Sequence, residues 1–272
     1  MDLILEDVLK NHEEYEMIYI VDVNMSEEMA KRIDSDQILK EKIKVFDHHA
    51  SRMNLNKYFF EQVVDERNGH KECGTTLFYE YLKSINDNPL LNRNSLKTMM
   101  ELIRQGDTFS FEEEQKDLAF QFGSLYYIYG REKYIEHFYQ FILENEEFYF
   151  SDVEKTLIEL NDLNVNKYIE EKLKRVKKAK IDGISVGIVF AEQNRSLLGH
   201  EMAKRLDIDI AVIINVDRSV SYRAEKDEVD VSILVVPNGG GGHKHAGGSP
   251  LPNNLQEKIC ELIFKNIEWE EV

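Results

Sequence analysis

Apolar positions 3, 4, 5, 8 and 9 fall on one helical face, predicting a first helix over residues 3–10. Met17-Ile18-Tyr19-Ile20-Val21 is an unbroken apolar run, as in a strand buried on both faces, and it ends in Asp22. Ser26 is placed to cap a helix that follows. A second buried strand over 43–46 ends in Asp47-His48-His49. Two strands separated by a helix, each ending in an acid, predict a βαβ unit with its polar residues on one edge. A third strand is predicted over 58–64.

Further along, Cys73-Gly74-Thr75-Thr76 opens a helix to about residue 85, and Asn86-Asp87-Asn88-Pro89 breaks it. Residues 96–105 read as a helix that stops at Gly106, with Asp107 just after it. Residues 117–143 are helical and aromatic-rich, a pattern expected of core. Residues 152–180 read as one long charged helix. A second set of elements follows: strands over 184–190, 208–215 and 219–223, a helix over 196–206 with Ser196 as its cap, and a closing helix over 255–267. The segment 229–236 fits a strand or a short helix. The pattern predicts an α/β chain of two domains: a parallel-sheet domain over 1–144, a helical linker over 145–182, and a smaller α/β domain over 183–272.

Charge narrows the partners. With 51 acidic against 34 basic residues the formal charge is −17, which disfavours long duplex nucleic acid but leaves short anionic substrates open. The two cysteines, Cys73 and Cys260, share no CxxC spacing and fit a reducing compartment. With no signal-peptide pattern and no membrane-length apolar run, the expected location is the cytoplasm.

Two clusters carry the chemistry. Asp22 and Asp47-His48-His49 lie at the ends of neighbouring strands, where ligands gather in α/β sheets. Carboxylates with imidazoles suit a divalent cation, and Asp107 is a third candidate ligand. The second cluster is Gly239-Gly240-Gly241-Gly242-His243, whose main chain can approach an anion closely. It matches neither a Walker A loop nor a Rossmann fingerprint.

Together, Asp22, Asp47-His48-His49 and Gly240-Gly241-Gly242-His243-Lys244-His245-Ala246-Gly247 resemble the DHH phosphoesterase family with its associated C-terminal domain. Arg104-Gln105-Gly106-Asp107-Thr108 and Ser219-Val220-Ser221-Tyr222-Arg223 most resemble its oligoribonuclease branch. The resemblance implies that Asp22, His48 and Asp107 ligate manganese, two ions in the family's full site. It implies that Asp47 orients an imidazole and that His49 meets the scissile phosphate. Arg223, Gly240, Gly241, Gly242 and His243 would hold the substrate's terminal phosphate.

The implied reaction is hydrolysis of very short oligoribonucleotides to nucleoside monophosphates. Cyclic dinucleotides and phosphoadenosine phosphate are related substrates, and a homodimer is compatible with the resemblance. The family's opening His-x-x-Asp-x-Asp motif has no counterpart in these residues, so the resemblance implies a partial metal site. The rival expectations are a protein that binds nucleotides without turnover and an α/β protein whose histidines are structural.

Overall fold

The computed structural model describes residues 2–111, 116–216, 218–252 and 254–263. The chain divides into two compact units, Met1–Asn161 and Asp162–Val272.

The first unit opens with α1 (Asp2–Lys10), β1 (Ile18–Val21), α2 (Glu27–Ser35), α3 (Gln37–Lys42), β2 (Ile43–Asp47) and β3 (Glu61–Val63). The three strands form a parallel sheet in the order β1-β2-β3, with Val21 opposite Phe46 and Val45 opposite Glu61. Parallel pairing brings the carboxyl ends of β1 and β2 to the same edge. Leu5 and Leu9 of α1 and Met29 and Ile33 of α2 bury their apolar stripes against Ile20 and Val45. Ser26 Oγ accepts from Met29 N and caps α2 as expected. A 3-10 turn over Ala50–Lys57 occupies the approach to β3, so that strand is shorter than the apolar pattern suggested.

After a small hairpin, β4 (Glu66–Arg67) with β5 (His70–Lys71), come α4 (Gly74–Ile85), α5 (Asn94–Thr108), α6 (Lys116–Tyr129) and α7 (Arg131–Glu144). The aromatic segment builds a second core around Phe122, Phe138 and Phe141. It breaks into two helices at Gly130, whose φ is 73°. The predicted stop at Gly106 is overturned. α5 runs on to Thr108, whose Oγ1 bonds to the Arg104 carbonyl, and ends at a left-handed Phe109. A single internal glycine costs a helix only about 1 kcal/mol, which the packing of Met99 and Leu102 outweighs. Asp107 therefore sits in the last turn of a helix, not after it.

The single long helix predicted over 152–180 is also shortened. α8 (Asp152–Leu173) ends, and residues 177–181 form β6 (Lys177–Ile181), paired antiparallel with β7 (Ile184–Phe190). The basic run is thus partly a strand, exposed along its length. Then come α9 (Arg195–Arg205), β8 (Ile210–Asn215), β9 (Ser219–Arg223), α10 (Ser232–Val235), β10 (Gly241–His243), β11 (Ala246–Pro250) and α11 (Leu255–Ile263). The rest of the predicted closing helix lies outside the described residues.

The second unit's sheet has six strands in the order β10-β11-β9-β8-β7-β6, with β7 and β8 parallel and the other pairs antiparallel. β8 shows how both faces are covered. Ile210 and Val212 pack with Leu234 and Val235 of α10, whereas Ala211 and Ile213 pack with Leu198 and Met202 of α9. This alternation is the period-2 geometry of a strand buried on both faces. The ambiguous segment 229–236 resolves as the short helix α10. The cap of α9 is Asn194, in a left-handed conformation, and Ser196 lies inside the helix with a different partner.

Candidate functional site

The candidate ligands Asp22, His48 and Asp107 come together in the first unit. Asp22 follows β1 with φ 65°, a left-handed conformation that an aspartate tolerates better than most residues. Its N–H donates to the Phe46 carbonyl at 2.8 Å, tying the end of β1 to β2. One carboxylate oxygen, Oδ1, lies 3.0 Å from His48 Nδ1 and accepts from Gly74 N at 2.8 Å. The other ring nitrogen, His48 Nε2, stands 3.5 Å from Asp107 Oδ2. Ligand atoms of Asp22, His48 and Asp107 all lie within 4.8 Å of one another. Helix α5 delivers Asp107, and it can do so because Gly106 does not end the helix.

Gly74 makes the arrangement close. A Cβ there would sit 2.6 Å from the Phe46 carbonyl oxygen and 2.7 Å from Asp22 Cα, nearer still to Asp22 N. Without it, the first turn of α4 abuts the ends of β1 and β2, and its N–H groups favour negative charge on Asp22.

Electrostatics follow from this crowding. Burial raises the cost of the Asp22 charge, but His48 and the Gly74 N–H outweigh it and hold the carboxyl below its usual range. Burial and the adjacent Asp22 push Asp107 up to about 6. Burial would lower His48, yet Asp22 and Asp107 prevail and raise it. Two carboxylates and one imidazole in this space have strong demand for a cation. The donor set fits a divalent ion that accepts oxygen and nitrogen ligands.

Asp47 faces a different way. Its side chain is fully buried. Oδ1 accepts from His48 N at 2.8 Å and lies 2.6 Å from His49 Nδ1. Oδ2 accepts from Asn24 Nδ2 at 3.1 Å. Burial opposes its charge, but His49 and Asn24 prevail and lower its pKa, while Asp47 raises that of His49. Asp47 thus contacts His49, and it is not among the clustered residues Asp22, His48 and Asp107.

In the second unit, Ala246 of β11 pairs with Arg223 of β9 on one side and with His243 of β10 on the other. Directly opposed residues project from the same face, so Arg223 and His243 share one row of the sheet. The Arg223 guanidinium donates to Ser196 Oγ and to the Tyr222 carbonyl, each at 2.8 Å. Arg195 Nη1 donates to Ser219 Oγ at 3.0 Å. Burial, with Arg195 nearby, lowers the Arg223 pKa. The glycine run is more regular than a flexible loop. Gly241 and Gly242 enter β10, and Gly240 N donates to the Val235 carbonyl. Gly242 has φ 150°, and a Cβ there would lie 2.6 Å from Gly247 Cα.

Four contributors are not evident from the sequence motifs. Asn24 and Gly74 lie beside them, in the loop after β1 and at the start of α4. Glu61 is a charged residue inside an apolar run, and that mismatch is the signal for it. Arg195 has none, because only the fold brings α9 to β9.

No protein-family model matches the chain. Oligoribonuclease NrnB of Bacillus subtilis (strain 168) is 29% identical over 260 residues, covering 94% of this chain. The chain spans 64% of that relative's length. Among solved structures, the DHH domain of a protein assigned to a family of ribosomal proteins superposes with TM-score 0.57 at 16% identity, over 96% of this chain and 72% of that one. An exopolyphosphatase-related protein from Bacteroides fragilis aligns at TM-score 0.45 and 14% identity, over 96% and 74%. In sequence the chain is similar to an oligoribonuclease, and in fold it is similar to a DHH domain.

Proposed function

We propose that this chain is a manganese-dependent phosphodiesterase that hydrolyses very short oligoribonucleotides to nucleoside monophosphates. The observation that carries the reading is the convergence of Asp22, His48 and Asp107 from β1, β2 and α5, with ligand atoms within 4.8 Å. These three residues would hold the cation. A bound divalent ion supplies Lewis-acid stabilisation of charge at phosphorus.

The remaining steps belong to the chain's own groups. Asp22 takes the His48 Nδ1 edge, which would leave Nε2 to hold a cation, and orientation of this kind is the usual requirement of a metal-bound imidazole. Asp47 holds His49 by Nδ1, which makes His49 Nε2 the nitrogen to meet a phosphodiester oxygen. Arg223 and His243, on one row of the second unit's sheet, are the groups for a terminal phosphate. A guanidinium suits that anion through paired N–H donors. Gly240, Gly241 and Gly242 bring main chain to the same end of the sheet. The net charge of −17 supports a substrate too short to need an extended basic surface. The similarity to an oligoribonuclease supports the same substrate class.

The test is incubation of the chain with end-labelled RNA of two to five nucleotides, with and without Mn²⁺. Mononucleotide release that needs the metal and disappears in His49→Ala is the expected result. Binding of Mn²⁺ and short RNA without any product would overturn it in favour of a nucleotide-binding protein.

A further inference from the structure

The His49–Asp47 pair does not end at Asp47. Asn24 Nδ2 donates to Asp47 Oδ2 at 3.1 Å and to Glu61 Oε2 at 3.0 Å. Its orientation is fixed from the other side, because Asn24 Oδ1 accepts from Met25 N at 2.7 Å. With the amide oxygen so engaged, the NH₂ group must face the carboxylates, and it has one hydrogen for each. The chain of contacts is Glu61, Asn24, Asp47, His49, drawn from β3, the loop after β1, and the end of β2.

Glu61 is costly where it stands. It is 8% exposed, and its Oε1 is buried with no hydrogen-bond partner. It makes no ion pair among the described residues, and such a carboxylate is expensive to bury. Burial and the nearby Asp47, against the Asn24 donor, push its pKa up to about 7. Packing alone explains none of this, since Val63, two residues on and on the same face of β3, is buried and apolar. What Glu61 supplies that an apolar residue cannot is an acceptor for the second Asn24 hydrogen.

We propose that Glu61 and Asn24 are positioning residues: Glu61 fixes the Asn24 amide, Asn24 fixes Asp47, and Asp47 thereby presents His49 to the phosphodiester. The inference rests on the proposed function for the last link only. Asp47 has few conformations left. One oxygen serves His48 N and His49, and the other serves Asn24. Removal of the Asn24 donor leaves Asp47 Oδ2 without its partner and loosens the carboxylate that His49 Nδ1 contacts.

The experiment uses the full chain labelled with ¹⁵N-histidine, without metal, and follows the His49 Nδ1 proton, assigned by its loss in His49→Ala. Wild type and Glu61→Gln, which keeps an acceptor oxygen for Asn24, should show a protected downfield signal. Asn24→Ala and Glu61→Ala should lose it or shift it by at least about 1 ppm, with native circular dichroism. Should Glu61→Ala not fold, Asn24→Ala decides alone. An unchanged signal in Asn24→Ala overturns the proposal.

Kinetics on short RNA with Mn²⁺ then separates the two readings. Asn24→Ala and Glu61→Ala should lower kcat tenfold or more with KM within twofold, and Glu61→Gln should recover to within threefold of wild type. Equal losses in Glu61→Gln and Glu61→Ala would also overturn the relay. A wild-type chain that shows the His49 signal but cuts nothing would refute the function while leaving the relay standing.

Discussion

The Asp22 carboxylate reaches His48 Nδ1 at 3.0 Å, and the ring's far nitrogen stands 3.5 Å from Asp107. This contact joins the ends of β1 and β2 and leaves two like-charged groups on opposite sides of one imidazole. Metal-free, the cluster relies on raised His48 basicity and on a partly protonated Asp107 near pH 6. A divalent ion held there would relieve both. Mn²⁺ should therefore raise the melting temperature of the chain, by mass action about 2.7 kcal/mol at a hundredfold excess over the dissociation constant. Asp22→Asn, His48→Ala and Asp107→Asn should each abolish the Mn²⁺-induced shift, measured by calorimetry. An equal shift in wild type and all three variants would place the ion elsewhere.

Gly74 is the second place where the site is sensitive. A methyl group there collides with main chain of both Asp22 and Phe46, which cannot swing aside as side-chain ends can. Gly74→Ala should cost roughly 1–3 kcal/mol of stability by overpacking. It should also weaken the Mn²⁺ shift, because the N–H that Asp22 accepts moves with the helix. A melting curve with and without the metal reads both effects. Wild-type stability with a full Mn²⁺ response would show that α4 is not pressed against the site.

Much of this was legible before folding. The apolar runs that end in Asp22 and in Asp47-His48-His49 predicted two strands, and the structure pairs them in parallel. Asp107 was legible by motif but not by position. Gly106 reads as a stop, and only the packing of Met99 and Leu102 carries α5 past it. The far end of the long helix was misread for a related reason. Helical periodicity and a run of lysines do not distinguish the end of α8 from an exposed edge strand such as β6. The Glu61–Asn24 contact was illegible, because it joins residues 37 positions apart through strand register.

Glu61 also makes a pH prediction whose sign is fixed. Its carboxyl is raised from 4.5 to about 7 in the folded chain, so the native state holds the proton more tightly than the unfolded one. The resulting stabilisation is complete below about pH 4.5 and is lost as pH rises through about 7. A shift of that size corresponds to something on the order of 3 kcal/mol. Urea denaturation of metal-free wild type should show stability falling between about pH 5 and 7 relative to Glu61→Gln, which cannot ionise. Parallel pH profiles for the two proteins would mean that Glu61 titrates normally.

The last prediction concerns the second unit. Arg223 is held by Ser196 and the Tyr222 carbonyl, and its planar guanidinium is the natural donor for a terminal phosphate. Lysine in its place would keep a positive charge but lose the planar fork and the simultaneous bond to Ser196. Arg223→Lys should raise KM for a 5′-phosphorylated dinucleotide about tenfold, worth about 1.4 kcal/mol, and leave kcat within twofold. On the proposed role, the same variant should bind an unphosphorylated dinucleotide as wild type does, because that ligand lacks the terminal phosphate. Titration calorimetry with both ligands checks this. Equal weakening for the two would mean that Arg223 supports the fold of the pocket instead of contacting phosphate.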